Sequence, residues 1–383
     1  MKRMGSFLIC VCLLLGAMAI PAQGAPAMEL AAKSALLMDA ATGTVLYESN
    51  AHEPLPPASV TKVMTLLLVM EAIDSGAIRW EDSVTASEAA AAKGGSQIYL
   101  KAGETMSVAD MVKSIAVSSA NDCACAMAEH LAGSESAFVE RMNARAKELG
   151  MENTHFVNCT GLDDDDAAKA HKTSAYDIAL MSRELLQKHP SIKKYTTIWM
   201  DTVRDGKFGL SNTNKLIRFY SGATGLKTGF TATAGYCLSA SAQREELELI
   251  AVVMGSATSQ DRFAACKSLL DYGFANYALI TPEVAADNLV PVKLGHSDTV
   301  RAVPGGHEAL LIEKAQRSSI TSQITLEESV TAPVSRGQRL GQLTIKAGEQ
   351  ILAQIPLVAE APVERLSWLD LFLRNIKRIC MEE

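Results

Sequence analysis

The spacing of apolar positions predicts a mixed helical and stranded arrangement over most of the chain. Apolar runs at residues 34–39 and 44–48 flank a Thr-Gly turn, a pattern typical of a β-hairpin. Apolar residues then recur mainly at helical spacing from residue 51 to about 186. Strand-like runs return between about residues 196 and 255, and a helix is predicted for residues 261–274. A sheet built from both ends of this segment, with a helical cluster inserted between them, is an α+β fold.

Beyond residue 277 the pattern changes to short β-branched runs separated by turn signals. These runs lie at residues 289–293, 309–312, 320–326, 341–345 and 351–358. They predict a small all-β, sandwich-like domain at residues 278–362. No set of catalytic side chains is evident there, which favours a pedestal or a partner-binding module.

The last segment, residues 363–383, has the pattern of an amphipathic helix. Its apolar residues at helical spacing are Leu366, Leu369, Phe372, Leu373, Ile376 and Cys380, and its basic residues include Arg365, Arg374, Lys377 and Arg378. That many charges exclude a spanning position, so the pattern favours a helix lying in the membrane interface. The alternative is a helix docked on the protein itself.

The N-terminus has the features of a secretory signal peptide at residues 1–27. Lys2 and Arg3 precede an apolar run at residues 7–20, and the small residues Ala25-Pro26-Ala27 follow. The apolar run falls short of the roughly 20 residues needed to span a bilayer, so a retained anchor is the less favoured alternative. We therefore expect an exported protein.

Charge and cysteine content narrow the function classes. The chain of 383 residues carries a net charge of −7, and removal of the two basic residues of the signal peptide changes it to −9. An acidic exported protein without a large basic patch is not expected to bind nucleic acid. The six cysteines beyond the signal peptide are irregularly spaced and fit neither a disulfide framework nor a zinc site. We interpret them as small buried side chains and expect no metal or other cofactor.

Three short motifs carry the candidate chemistry: Ser59-Val60-Thr61-Lys62, Ser119-Ala120-Asn121 and Lys227-Thr228-Gly229. A serine becomes nucleophilic when a neutral lysine lies one helical turn away. A second serine with an asparagine can transfer protons and hold an amide, and a Lys-Thr-Gly strand can bind a carboxylate. This combination is the signature of penicillin-binding proteins and class A β-lactamases.

The first motif is ambiguous by itself, because Ser191 and Lys194 repeat the Ser-x-x-Lys spacing. Ser191 follows a proline in a polar stretch without a long apolar helix behind it, which is typical of a solvated helix boundary. Ser59 also follows prolines, but a long apolar helical pattern ending at Gly76 comes after it. A serine at the start of such a helix lies at the positive end of the helix dipole. We therefore predict that Ser59 is the nucleophile.

The chain resembles the D-alanyl-D-alanine carboxypeptidases, the low-molecular-mass penicillin-binding proteins of bacterial wall metabolism. Besides the three motifs, the similar segments are residues 57–65, 119–122, 150–156, 160–163, 225–231 and 234–236. The resemblance extends over about residues 30 to 380. It implies a β-lactamase/transpeptidase-like domain at residues 28–277, with an antiparallel sheet and a helical cluster. It also supports the membrane-bound C-terminal helix.

The resemblance implies a role for each motif residue. Ser59 attacks the carbonyl between two terminal D-alanines and forms an acyl-enzyme. Lys62 is the base, with its pKa lowered by burial and by the charge of Lys227. Ser119 passes a proton to the leaving amine, and Asn121 holds the peptide amide.

The resemblance also implies the surroundings of the substrate. The backbone N–H groups of Ser59 and Phe230 form the oxyanion hole. Thr228 contacts the terminal carboxylate beside Gly229, and Arg262 matches an arginine suited to a bidentate grip on it. A plain helix-surface arginine is the alternative for Arg262. Thr213 stands where some relatives have a carboxylate-binding arginine.

Peptidoglycan stem peptides ending in D-Ala-D-Ala and β-lactam antibiotics are the expected partners, on the outer face of the cytoplasmic membrane. Three alternatives share the same pattern. A β-lactamase uses the same acylation chemistry, but no convincing Glu-x-x-Leu-Asn segment for class A deacylation lies between Ser119 and Lys227. A DD-endopeptidase or transpeptidase differs in the acyl acceptor. An inactive wall-binding protein is disfavoured because every expected catalytic side chain is present.

Overall fold

The computed structural model describes residues 28–164, 166–282, 287–306 and 309–381. The predicted signal peptide, residues 1–27, lies outside the described residues. The strands are β1 (Ser34–Asp39), β2 (Val45–Ser49), β3 (Ser83–Thr85), β4 (Thr105–Ser107), β5 (Met200–Val203), β6 (Phe208–Ser211), β7 (Ala223–Thr231), β8 (Gly235–Arg244), β9 (Leu247–Ser256), β10 (Tyr277–Ile280), β11 (Leu289–Lys293), β12 (Thr299–Pro304), β13 (Leu310–Glu313), β14 (Ile320–Leu326), β15 (Val330–Thr331), β16 (Arg339–Ala347) and β17 (Gln350–Ala359). The α-helices are α1 (Lys62–Asp74), α2 (Glu88–Ala91), α3 (Val108–Ser118), α4 (Asn121–Ala132), α5 (Glu135–Glu148), α6 (Ala175–Lys188), α7 (Lys193–Thr196), α8 (Leu216–Phe219), α9 (Ser259–Asn276) and α10 (Trp368–Met381). Short 3₁₀ turns lie at Ala58–Thr61, Ala167–Ala170, Pro190–Ile192 and Lys314–Ser319.

An antiparallel sheet in the order β2-β1-β9-β8-β7 organises the first part of the chain. The predicted N-terminal hairpin is confirmed as β1 and β2, which join the sheet beside β9. The strand with the Lys-Thr-Gly motif, β7, forms the opposite edge. The predicted α+β arrangement, with strands from both ends of the segment and helices between them, is confirmed.

Strand β9 shows how the two faces of this sheet are covered. Ile250 and Val252 pack into the core formed with the helical cluster, whereas Leu249 and Val253 pack into the core formed with α9. Since successive side chains of a strand point to opposite faces, the continuous apolar run of β9 indicates burial on both sides. Each such side chain contributes about 1.5–3 kcal/mol when fully buried.

Helix α1, which follows the first motif, runs through the middle of the helical cluster. Its side chains Val63, Met64, Leu67 and Val69 have no exposed surface. A helix that is apolar on all sides must be buried on all sides, and this explains its central position. The first motif is therefore attached to one of the most constrained elements of the fold.

The predicted helix at residues 261–274 is α9, two residues longer at each end. Thr258 Oγ1 accepts a hydrogen bond from the Asp261 amide at 3.1 Å and thereby caps its first turn. Serine caps of the same kind begin α3, α5 and α6. Two short hairpins, β3–β4 and β5–β6, were not predicted because their strands have only three or four residues.

The second part of the chain is all-β, as predicted. Six strands pair in the order β14-β16-β17-β12-β11-β15 and enclose a separate apolar core. The predicted runs correspond to β11, β13, β14, β16 and β17, whereas β10, β12 and β15 were not predicted.

Helix α10 begins five residues after the predicted start of the C-terminal helix. Val363 and Arg365 are bridged to the all-β part as extended backbone, which excludes them from a helix. Ser367 then starts the helix, because its Oγ accepts from the Asp370 amide at 3.2 Å while the Asp370 carboxylate accepts from the Ser367 amide at 3.1 Å. None of the helices in the described ranges combines the length and the apolar character that crossing a bilayer requires.

Candidate active site

The first motif forms a tight turn whose backbone is closely approached by two glycines. Ala58, immediately before Ser59, has the left-handed φ of +48°. A Cβ at Gly161 would lie 1.8 Å from the Ala58 carbonyl oxygen, and one at Gly229 would lie 2.6 Å from the Pro57 oxygen and 3.1 Å from the Ser59 nitrogen. Only glycine permits such approaches. The turn is thus held between the third motif and the segment around Gly161.

Ser59 and Lys62 lie at hydrogen-bond distance, with 2.9 Å between Ser59 Oγ and Lys62 Nζ. Lys62 also donates to the Thr160 carbonyl at 2.8 Å and has no exposed surface. Burial lowers the pKa of Lys62 to about 7, although the nearby Cys159 and Asp122 oppose the effect. A substantial fraction of Lys62 is therefore neutral at pH 7, as a general base requires.

The second motif is buried at the junction of two helices. Ser119 ends α3 with a left-handed φ of +63°, and α4 already begins at Asn121. The link between the two helices is too short to project to the surface. The Asp122 carboxylate also holds a neighbouring segment over it, because it accepts hydrogen bonds from the amides of Ile98 and Leu100 at 3.1 and 3.0 Å. A left-handed non-glycine residue such as Ser119 is typical of functional sites.

Two oxygen atoms of the second motif are available for a ligand. Asn121 Nδ2 donates to the Gly94 carbonyl at 2.7 Å, which fixes the orientation of the amide. Asn121 Oδ1 and Ser119 Oγ are buried, yet within the described residues neither has a hydrogen-bond partner. Buried polar atoms are nearly always paired, so such atoms in a cleft point to a ligand or a water.

Lys227 is buried in the third motif, and its Nζ donates to the Thr228 carbonyl at 2.8 Å. Burial and the positive charges of Lys62 and Arg262 hold the pKa of Lys227 well below its usual value. We predicted that burial and the charge of Lys227 together lower the pKa of Lys62. Burial is confirmed as the largest cause of the low pKa of Lys62, and Lys227 is not among its causes.

The remaining predicted residues surround the end of β7. Thr228 Oγ1 donates to Thr213 Oγ1 at 2.7 Å, so these two hydroxyls form one polar patch. The Phe230 side chain is 53% exposed and stacks on Tyr236 with ring centroids 4.2 Å apart. Its exposed ring lies near the end of β7.

Arg262 is not a helix-surface residue, because only 7% of it is exposed. Its Nη1 donates to the Gly229 carbonyl at 2.8 Å and to the Cys237 carbonyl at 3.3 Å. In the structure, Arg262 therefore supports the backbone of the third motif, and its guanidinium is not held free for a bidentate contact with a ligand. Its role in carboxylate binding stays a prediction.

Sequence reasoning assigned no role to Thr160 and Gly161, although they contact the first motif directly. The Thr160 carbonyl holds the Lys62 amine, and Gly161 makes room for the Ala58 carbonyl. The signal available in the sequence was the glycine itself within a segment that resembles the family. The prediction of buried cysteines is confirmed for Cys123, Cys125, Cys159, Cys237 and Cys266, which are free thiols.

Comparisons with known proteins show which family the chain belongs to. A family model described as D-alanyl-D-alanine carboxypeptidase matches residues 21–258, and one described as penicillin-binding protein 5, C-terminal domain, matches residues 283–365. The D-alanyl-D-alanine carboxypeptidase DacF of Bacillus subtilis is 42% identical over 353 residues, which cover 90% of this chain and 89% of that protein.

Solved structures are similar over the same regions. The crystal structure of penicillin binding protein 5 from Haemophilus influenzae is 30% identical with a TM-score of 0.76, and the match covers 89% of this chain and 100% of that one. Penicillin-binding protein D2 from Listeria monocytogenes in the ampicillin-bound form is 34% identical with a TM-score of 0.59, covering 65% of this chain and 100% of that one. The chain is thus a member of the D-alanyl-D-alanine carboxypeptidase family.

Proposed function

We propose that the chain removes the terminal D-alanine from peptidoglycan stem peptides through an acyl-enzyme on Ser59. The observation that carries this proposal is the fully buried Lys62, whose amine lies 2.9 Å from the serine hydroxyl and has a pKa of about 7. Neutral Lys62 takes the hydroxyl proton as Ser59 attacks the carbonyl between the two D-alanines. The acyl-enzyme forms, D-alanine leaves, and water then hydrolyses the ester.

The second motif serves the leaving group and the substrate backbone. Ser119 Oγ, which has no partner among the described residues, is free to hand a proton to the departing amine. Asn121 Oδ1 accepts a hydrogen bond from a substrate N–H, since its Nδ2 is already engaged by Gly94. The two unpartnered atoms thus receive complementary roles.

The third motif binds the terminal carboxylate. The hydroxyls of Thr228 and Thr213 form a polar patch beside Lys227, and Arg262 adds a buried positive charge behind it. A carboxylate placed here favours the charged form of Lys227, so substrate binding raises the pKa of this lysine. The backbone N–H groups of Ser59 and Phe230 are the proposed oxyanion-hole donors.

Penicillin is proposed to acylate the same serine. Penicillin presents its lactam carbonyl and the carboxylate of its fused five-membered ring to the same groups as the peptide, and a relative has been crystallised in an ampicillin-bound form. A β-lactamase or an endopeptidase would use the same nucleophile, but the family match favours carboxypeptidase action.

The test is the pH dependence of D-alanine release from a pentapeptide ending in D-Ala-D-Ala. Because the base must be neutral and its pKa is about 7, we expect kcat/KM to fall nearly tenfold per pH unit below pH 6 and to level off above pH 8. The measurement uses the chain without residues 1–27 between pH 5 and 9, with folding followed by circular dichroism. Absence of release at any pH contradicts the proposed function, whereas a flat profile with a folded protein contradicts the role of Lys62.

Export and membrane attachment are further parts of the proposal. Helix α10 exposes 42–78% of each of its apolar side chains Trp368, Leu369, Phe372, Leu373 and Ile376. On its polar side, Arg374 donates to the Gly295 carbonyl and to the Asp298 carboxylate of the all-β part at 3.3 and 3.2 Å. This arrangement leaves the apolar side free for a lipid surface. We propose that α10 holds the enzyme on the outer face of the cytoplasmic membrane.

Removal of α10 by truncation after residue 367 is expected to abolish cosedimentation with vesicles that contain anionic lipid. Each buried apolar side chain adds to the affinity for the interface, so the double variant Leu369→Glu/Phe372→Glu should also stay in the supernatant. Vesicle sedimentation with a penicillin-labelled protein measures the bound fraction. The matched control is Glu364→Gln, which should sediment like the parent chain. Equal sedimentation of parent and truncated chains would contradict membrane attachment through α10.

A further inference from the structure

A buried histidine that the proposed reaction does not use lies behind the nucleophile. His171 is 3% exposed, and its Nδ1 lies 3.1 Å from the backbone nitrogen of Val157. A backbone N–H only donates, so Nδ1 must be the unprotonated acceptor. In the neutral ring the proton is then on Nε2, which donates to Thr61 Oγ1 at 2.8 Å.

The tautomer of His171 determines the direction of the next hydrogen bond. Thr61 Oγ1 accepts from His171, so its own proton is directed to the Ala58 carbonyl at 2.8 Å. Thr61 has no exposed surface, so its hydroxyl keeps these hydrogen bonds instead of bonding to water. An ordered chain thus runs from the Val157 N–H through His171 and Thr61 to the Ala58 carbonyl.

The end of this chain orients a catalytic group. The Ala58 carbonyl and the Ser59 N–H belong to one planar peptide unit, in which the two groups point in opposite directions. Holding the carbonyl therefore also aims the N–H. Ala58 has the unfavourable φ of +48°, so the turn needs outside contacts to stay in place.

We propose that His171 and Thr61 are positioning residues that orient the Ser59 N–H as an oxyanion-hole donor. The inference rests on the acyl-transfer function proposed above. The neutral ring that it needs is maintained because burial lowers the pKa of His171 to about 4, an effect to which the neighbouring His155 and Lys62 add.

The main test is Thr61→Val, which keeps the volume of the side chain and removes the hydroxyl. Loss of one oxyanion-hole donor typically slows a reaction by about 10²–10³-fold, so misorientation should slow acylation by a fluorescent penicillin about tenfold or more. Because the N–H acts on the transition state, kcat for the pentapeptide should fall with little change in KM. Thr61→Ser, which restores the hydroxyl, should recover most of the rate.

The matched control is Thr196→Val. Thr196 is 1% exposed, and its Oγ1 donates to the Thr224 carbonyl at 2.6 Å, so the same kind of bond is lost outside the first motif. This variant should lower the melting temperature without slowing acylation. If Thr61→Val behaves like Thr196→Val, the hydroxyl is merely structural and the proposal is wrong.

A pair of His171 variants provides an independent test, which remains possible even if Thr61→Val does not fold. His171→Gln can place an amide N–H near Nε2 and should stay faster than His171→Asn, whose short side chain reaches only the position of Nδ1. Adding His171→Asn to Thr61→Val should slow acylation no further, since both act through one chain. The proposal would be overturned if the two substitutions slowed acylation multiplicatively in the double variant. It would also be overturned if the Gln and Asn variants had equal acylation rates. A parent chain that neither binds penicillin nor releases D-alanine would instead refute the proposed function.

Discussion

Replacing Ser59 by alanine is expected to abolish both the covalent penicillin adduct and D-alanine release. The variant keeps the turn and the buried Lys62 but has no atom that can form the acyl ester. Loss of a catalytic nucleophile typically costs more than about 10⁴-fold in kcat, which places the residual rate below detection here. Intact-protein mass spectrometry after incubation with penicillin measures the adduct, and a pentapeptide assay measures the release.

Ser191→Ala is the matched control, because Ser191 and Lys194 have the same spacing as Ser59 and Lys62. Ser191 lies in the 3₁₀ turn Pro190–Ile192, and Lys194 is exposed, so nothing desolvates its amine. We expect this variant to form the adduct and to release D-alanine like the parent chain. An adduct that persists in Ser59→Ala and disappears in Ser191→Ala would show that the nucleophile was assigned to the wrong serine.

Lys62→Met is expected to slow acylation by about 10²–10⁴-fold while it stabilises the protein at neutral pH. The pKa of Lys62 falls from the usual 10.5 to about 7 on folding. As the pH falls below 10.5, the unfolded chain therefore binds a proton that the folded protein does not, and stability decreases until about pH 7. Methionine has a similar length but no group that binds a proton, so this loss of stability is absent in the variant. The inactive variant should therefore be more stable than the parent chain.

The two contributions to the stability of Lys62→Met have different sizes. Each unit of pKa difference between folded and unfolded chain corresponds to about 1.4 kcal/mol, and several units separate the two states. Leaving the Thr160 carbonyl without its partner costs about 1–3 kcal/mol, so the net change at pH 7 is stabilising. Melting temperatures at pH 7 and pH 10 measure it, and the advantage of the variant should shrink at pH 10. A variant less stable than the parent at pH 7 would contradict the buried, depressed lysine.

The membrane-bound position and the catalytic geometry depend on different parts of the chain. The former rests on the apolar side of α10, and the latter on the contacts around Ser59. Truncation after residue 367 should therefore release the protein from vesicles without changing the rate of acylation. Thr61→Val should have the opposite pattern, with slower acylation and unchanged vesicle binding.

Much of the site could be predicted from the sequence because its chemistry is local. Ser59 and Lys62 are one helical turn apart, and the apolar residues after them predict a buried helix. The strands β7 to β9 follow from alternating and continuous apolar runs with short turns. These features depend on neighbours within a few residues, and such neighbours are visible in the sequence.

Contacts between distant segments were not predictable in the same way. Lys62 and Thr160 are 98 positions apart, and Thr61 and His171 are 110 positions apart. Nothing in the pattern around either partner indicates that they meet. The burial of Ser119 and Asn121 is likewise not visible in the sequence, since it depends on the segment that Asp122 holds over them.

The sequence by itself determined the order of the three motifs, the α+β arrangement of the first part and the all-β character of the second. Only the tertiary structure decided that burial is the largest cause of the low pKa of Lys62, and that Arg262 bonds to the backbone of β7. It also decided which carbonyls hold the lysine and the nucleophile turn. The physical reason is that desolvation and hydrogen bonding at a site depend on every segment packed around it, whereas periodicity reports only which face of one segment is buried.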